Sequence, residues 1–357
     1  MYKNEERVRP LDKYNYRIMS GNEEVAKWED NELTVFNGEL LPLFLHRVSN
    51  ADMWLEPRAI DSHRANSRLL KKALRLIERD DISTVIQVHG ATITDNYWIK
   101  GSDSALTYDD IRFEDDYFSN LALKGTYDSF NRAANSKRSK TPELTNIGSF
   151  EKCWKLRDGK WWMYKRANHN ELFSELFICR LGKALGMNMA EYERGDGYIK
   201  TRDFTDNASV NFEPAFSFMG DDEDYEAVIG RLKELCPEAI PDYIRMIFLD
   251  TVVANPDRHT NNFGLLRDIK TGRLIGLAPN FDNNMALIAR GYPSNPKSGD
   301  LLIMLFNEVL ENHPEYRSYL PAIEEKTVYE CVDELHMRVR RETVVQYVLN
   351  RYSKIRK

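Results

Sequence analysis

IFLDTVVANPDRHTNNFGLLRD, residues 247–268, is the most informative stretch of this chain. An apolar run gives way to Asn255, Asp257, His259, Asn261 and Asn262, and then resumes at Phe263, Leu265 and Leu266. Polar groups set into a core must be hydrogen-bonded, hold a ligand or line a cleft. A second insertion, APNFDNNMALI at 278–288, brings Asp282 between apolar flanks. Together these two loops offer a carboxylate, an amide oxygen and another carboxylate to one cleft edge.

That set suits phosphoryl transfer. A carboxylate can orient an attacking hydroxyl and accept its proton, and carboxylate and amide oxygens suit Mg²⁺. Asp257 is the expected base, with Asn262 and Asp282 the expected metal ligands. His259, inside the loop, is expected to fix the backbone by packing and hydrogen bonding. Asn and Asp also favour plain turns, so NPDRHTNN alone reads as readily as a structural loop. Asp282 and a phosphate cradle upstream shift the balance.

The cradle is LTNIGSFEK at 144–152, the strand WWMYKR and the helix that follows. Gly148 permits close backbone approach to phosphate, and Ser149 adds a hydroxyl. Lys165 can reach the α- and β-phosphates of ATP, with Glu175 on the helix as its partner. Glu171, one turn earlier, is the competing acid, and a surface lysine beside an ordinary amphipathic helix is the plainer reading. The GxxxxGK[ST] loop is absent.

The elements around these residues are legible. YRIMSG, EVAKW and ELTVFN read as short strands between Tyr16 and Pro42, and HRANSRLLKKALRLIE at 63–78 as a helix. TVIQVHGATITDNYWIKG, 84–101, has β-rich composition. A polar, basic junction is expected in NRAANSKRSKTPELTN, 131–146. Beyond it, SFEKCWKLRDGKWWMYKR predicts a hairpin turning at Asp158-Gly159. ELFSELFICRLGKALGM predicts a helix stopping at Gly186, YIKTRDF a strand, and PDYIRMIFLDTVVAN a buried helix. Strands follow from GRLIGLAPNFDNN, and the last part is largely helical.

Hydrophobic residues make up 42% and charged residues 30% of the 357, as in a globular protein of more than one lobe. Cys153, Cys179, Cys236 and Cys331 form no CxxC pair, so neither a disulfide framework nor a zinc site is expected, and a reducing cytoplasm is the simplest compartment. No apolar run of membrane-spanning length and no secretory leader is seen, so no membrane association is expected. With a net charge of −6 and interspersed signs, direct nucleic-acid binding is not expected either.

The motifs resemble the HipA-like serine/threonine kinase family. The likeness rests on TNIGSFEK at 145–152, MYK ending at Lys165, SELFICRLGKALG at 174–186, NPDRHTNN at 255–262 and LAPNFD at 277–282. It implies Asp257 as catalytic residue, Asn262 and Asp282 as magnesium ligands, Lys165 and Glu175 as the ATP-binding pair, and Asn255 and His259 as supports. It also implies an α+β, bilobal protein-kinase-like fold with a mixed N-terminal lobe and a mainly helical C-terminal one. The kinase core is expected over 140–345, preceded by a mixed α/β accessory region over 1–130. The implied activity is MgATP-dependent transfer to a protein serine or threonine, with a regulatory protein partner possible in such a family. The family's loop serine, which can be autophosphorylated to switch the enzyme off, falls on Thr145, with Ser149 the second candidate. The other readings are a lipid or small-molecule kinase and a nucleotide-binding regulatory pseudokinase.

Overall fold

The computed structural model describes residues 15–59, 67–73, 81–134, 141–145, 151–292 and 300–356. The chain divides into two compact units: Met1–Ser149 with Ile269–Gly272, and Phe150–Asp268 with Arg273–Lys357.

The first unit opens with the three expected strands, β1 (Tyr16–Ser20), β2 (Glu23–Glu29) and β3 (Glu32–Val35), joined by β4 (Tyr97–Lys100) in the antiparallel order β3-β2-β1-β4. Tyr16 faces Trp28 and Ile18 faces both Ala26 and Ile99 across this sheet, and all five side chains are buried. Among the described residues of the unit there are seven α-helices: α1 (Leu43–Arg47), α2 (Ala51–Leu55), α3 (Ser67–Ala73), α4 (Asp81–Ile86), α5 (Tyr108–Ile111), α6 (Ser119–Lys124) and α7 (Tyr127–Ala134). The β-rich expectation for 84–101 holds only at its end. Thr84, Val85 and Ile86 are helical and buried, so packing overrides their β-propensity. The expected helix over 63–78 is described as α3, its other residues lying outside the described ones.

A buried arginine organises the turn before β4. Arg58 donates to both oxygens of Asp95 at 3.0 and 2.7 Å, and to the carbonyls of Gly90 and Tyr97. Asp95 also accepts from the Thr92 hydroxyl and the Tyr97 amide, and the Trp54 ring lies 4.7 Å from the guanidinium.

Part of the expected junction is ordered. Residues 131–134 belong to α7, which turns Ser129 and Ala133 inward at a spacing of four, and Pro142–Thr145 forms a 3-10 turn that contains buried Glu143 and follows buried Thr141. Residues 135–140 lie outside the described ones.

The second unit begins with the expected hairpin, β5 (Lys152–Arg157) and β6 (Lys160–Arg166), with Lys152 opposite Lys165. Asp158 and Gly159 both have positive φ, 50° and 73°, the backbone a two-residue hairpin turn requires. Helix α8 (His169–Ala184) follows, then β7 (Tyr192–Arg194) and β8 (Tyr198–Arg202), giving the sheet β5-β6-β8-β7. Asn168 caps α8 and Glu171 returns a bond to the Asn168 amide, so Glu171 closes a capping box. Glu175, one turn on, is buried.

Next come β9 (Val210–Pro214), α9 (Phe216–Met219), α10 (Tyr225–Leu235) and α11 (Ile240–Val253). Helix α11 is apolar almost all round and buried, and it ends where Ala254 takes a left-handed conformation. The loop 255–263 leads into β10 (Gly264–Asp268), which pairs with β9 and with β11 (Leu274–Leu277). At Gly264 the strands approach closely: a Cβ there would lie 2.2 Å from the Glu213 carbonyl oxygen. The 278–288 loop follows, and the chain closes with α12 (Leu301–Asn312), α13 (Glu325–Asp333) and α14 (Arg341–Tyr352). The fold is thus α+β and bilobal, sheet-and-helix structure preceding a largely helical C-terminal part.

Candidate active site

Three elements converge in the second unit. Strand β6 presents Lys165, helix α8 presents Glu175, and the 255–263 and 278–288 loops present the polar set. Lys165 Nζ donates to Asp282 Oδ1 at 2.5 Å and to Asn284 Oδ1 at 2.9 Å. Glu175 accepts from the Asn283 amide, 2.9 Å from each oxygen, and from Asn283 Nδ2 at 3.2 Å. The lysine and the glutamate therefore grip consecutive residues of one loop. The Asp282 amide donates to Tyr192 Oη from β7 at 2.9 Å. Asp282 lies at φ 60°, a left-handed conformation uncommon for a non-glycine residue and recurrent at functional sites.

The electrostatics follow from this crowding. Burial and the nearby Asp282 carboxylate raise Glu175 from 4.5 to about 7, against the pull of the Asn283 bonds and the Lys165 charge. For Asp282, burial works upward but Lys165 outweighs it, with Lys152 and Arg258 helping, and the pKa is lowered. Burial, with both carboxylates nearby, pushes the Tyr192 phenol well above its ordinary range.

Sequence reasoning passes over the residue that joins the two loops. The Arg258 side chain is buried, with Nε and one terminal nitrogen on the two oxygens of Asp250, at 2.8 and 2.9 Å. Its other contacts are the carbonyls of Asn262 and Phe281 and the side-chain oxygens of Asn280 and Asn283. It thereby holds both flanks of the 255–263 loop and the Asp282 loop to one planar fork. Burial opposes its charge and Asp250 restores it, so the pKa is raised. The available signal was Asp250, an aspartate between the apolar runs Met246–Leu249 and Val252–Val253 of α11, which has to meet a partner.

Asn255 spans the gap between helix and loop, donating to Asp250 at 2.8 Å and accepting the Asp257 amide at 3.1 Å. His259 stays local: its amide donates to the Asp257 carbonyl, and Nδ1 accepts from the Asn261 amide at 3.3 Å. Asn262 Nδ2 donates to the Asp257 carbonyl at 2.8 Å, so Oδ1 is the side-chain atom that could hold a metal. The Asp282 side chain keeps 26% of its surface. One carboxylate and one amide oxygen fit a magnesium ion, which commonly takes few protein ligands and completes its shell with phosphate oxygens and water. Among the described residues no cluster of three His, Cys, Asp or Glu side chains could hold a metal. The expected phosphate-loop residues Gly148 and Ser149 lie outside the described ones, and Thr145 ends the 3-10 turn.

A sheet lysine, a buried helix glutamate and two polar loops tied together below them define a kinase-like fold. The HipA-like C-terminal domain model matches residues 138–343, more than half of the chain, which therefore belongs to the HipA-like kinase family. Among solved structures, the HipA–HipB–operator DNA complex of Shewanella oneidensis MR-1 contains a chain like this one over 95% of its length and 96% of the other, at 11% identity and TM-score 0.50. The proinflammatory kinase CtkA of Helicobacter pylori covers 57% of this chain and 90% of its own, at 17% identity and TM-score 0.44. No curated protein matches the chain. Among the described residues no helix is long and apolar enough to cross a membrane.

Proposed function

We propose that the chain is an ATP-dependent phosphotransferase that moves the γ-phosphoryl group to a serine or threonine hydroxyl of a protein. The observation that carries this reading is the meeting of Lys165, Glu175 and the Asp282–Asn284 segment, with Arg258 tying that segment to the loop of Asp257 and Asn262. Lys165, now neutralised by Asp282, is placed to turn toward the α- and β-phosphates. Asn262 and Asp282 would hold magnesium, which when bound neutralises phosphate charge. Glu175 and Tyr192 fix the backbone on either side of Asp282, so its carboxylate needs little reorganisation as nucleotide arrives. Asp257, whose amide is anchored by Asn255, accepts the proton of the attacking hydroxyl.

Protein acceptors are favoured over lipids because the surface beside Asp257 offers acidic and apolar side chains, as described below. Thr145 is the proposed autophosphorylation residue, with Ser149 second, and added phosphate there would oppose ATP phosphates by like charge. A protein partner is also proposed, since the similar Shewanella protein is found with HipB and operator DNA.

Incubating the full chain with labelled MgATP and separated protein, peptide and lipid acceptors tests the activity. Label on serine or threonine of protein is the expected result, and peptide mapping locates any label on Thr145 or Ser149. Label confined to lipid, or no transfer under saturating MgATP, overturns it.

A further inference from the structure

Helix α12, the start of α10 and the loop of residues 255–258 enclose a groove of about 280 Å³. It is preformed. Arg351 on α14, fully buried, closes a bidentate pair with Asp300, the N-cap of α12, at 2.6 and 2.9 Å, and donates to the Thr251 carbonyl of α11. At the other end of α12, its last residue Asn312 and the C-cap His313 both hold Glu226 of α10.

Its two recognition features differ from those of the nucleotide site. The first is apolar. Leu302, Leu305 and Val309 of α12 line the groove, and Leu305 belongs to an exposed stripe in which Leu301, Met304, Leu305 and Glu308 stand at i, i+3, i+4 and i+7, the three apolar members 64%, 55% and 36% exposed; Leu301 and Met304 carry that stripe on beyond the groove along the same helix. Three large apolar side chains grouped on one exposed stripe mark a contact surface more than scattered ones do. The second is charge. Glu223 on one wall and Glu308 on the other have no ion-pair or hydrogen-bond partner among the described residues, and Asp221 and Asp222 extend the acidic side. Arg258, the basic side chain in the lining, is turned inward onto Asp250 and the loops. The groove thus presents uncompensated negative charge beside leucine.

We propose that this groove seats the flank of the protein substrate, and that its occupant is a peptide segment in which lysine or arginine alternates with leucine-like residues. The proposal rests on the phosphotransferase reading and names its substrate class. Asn255 and Pro256 line the groove and Asp257 is the next residue, so a chain lying along α12 passes its hydroxyl close to the base. Carboxylates on both walls disfavour phosphate-bearing ligands. A second copy of this chain, with net charge −6, brings charge of the same sign.

The test uses the full chain and two short fluorescent serine peptides that share their leucines and differ only in arginine or glutamate at the flanks. Anisotropy reads binding, and steady-state transfer reads kcat and KM. The arginine peptide should bind at least tenfold more tightly than the glutamate peptide. The double variant Glu223→Lys, Glu308→Lys should raise the arginine peptide's Kd and KM about tenfold and improve the glutamate peptide, leaving kcat and the KM for MgATP unchanged. Leu301→Ser with Leu305→Ser should weaken both peptides. Equal binding of the two peptides, or an arginine-peptide Kd indifferent to the charge reversal, overturns the groove assignment. So does a reversal that instead changes the sedimenting mass, which would make the face a contact between copies. If charge-dependent binding holds and no phosphate moves, the groove stands and the phosphotransferase reading falls. Transfer without charge preference does the opposite.

Discussion

The guanidinium side chains of Arg58 and Arg258 are both largely buried and both meet an aspartate with two hydrogen bonds, yet their surroundings end differently. Around Arg58, Asp95 also receives Thr92 and the Tyr97 amide, and Trp54 covers the guanidinium. Protein groups answer one another there, and the result is a fixed turn. Arg258 likewise spends its donors inside the protein, on Asp250 and the backs of two loops. What those loops carry outward differs: the Asp257 carboxylate and Asn262 Oδ1 receive no hydrogen bond among the described residues, and Asp282 keeps part of its surface. The same buried pair thus serves as a closed structural knot in one unit and, in the other, as the foundation for groups left open to ligands.

The sharpest way to break this contrast is Asp257→Asn. Turnover should fall by about 10²–10⁴-fold, the usual worth of a positioned base, with nucleotide affinity and melting little changed. Equal turnover by wild type and variant removes Asp257 from the chemistry. Next, Arg258→Met should cost about 3–5 kcal/mol of the second unit's stability, because it leaves Asp250 buried without its counter-charge. Arg58→Met should cost a similar amount in the first unit while turnover per folded molecule persists. Chemical denaturation read alongside activity checks both, and equal loss of turnover in the two variants dissolves the distinction.

Tyr192→Phe is milder. It deprives the Asp282 amide of its acceptor, at about 1–3 kcal/mol, and should raise the KM for MgATP more than it lowers kcat. An unchanged KM would show that Tyr192 does not place Asp282. The smallest effect concerns pH. The folded pKa of Glu175 lies above its ordinary value, so the folded state holds the proton more tightly than the unfolded one. Its contribution to stability is full below 4.5 and is lost as pH rises through about 7. Melts of wild type and Glu175→Gln across that window should converge at the acid end and separate toward neutrality, the wild type falling relative to the variant. Parallel curves would place the titration elsewhere.

Legibility in the sequence tracked how local each cause was. The Asp158-Gly159 turn and the strands beside it depend on neighbours in the chain, and they emerge as read. Glu171 and Glu175 could not be told apart by spacing alone, since the difference lies in a cap made with Asn168 on one side and a distant Asn283 on the other. Thr84–Ile86 carried a β-like composition that burial overrode. Lys165 is similar: its strand was plain, but Asn284, its second acceptor, comes from 119 residues away. Arg258 was hidden because an arginine within a polar loop looks solvated until the aspartate beneath it is seen.

Gly264 gives the loop one more determinant, and it is a missing atom. Asn262 stands two residues before the point where a methyl group would strike the Glu213 carbonyl and crowd the Pro214 Cα. A side chain there has to push β10 from β9 and carry the 255–263 loop with it. A relative bearing alanine at this position could keep every motif letter from Asn255 to Asp282 and still be silent. In sorting working members of such a family from inert ones, the residue just after the motif is therefore as informative as those within it.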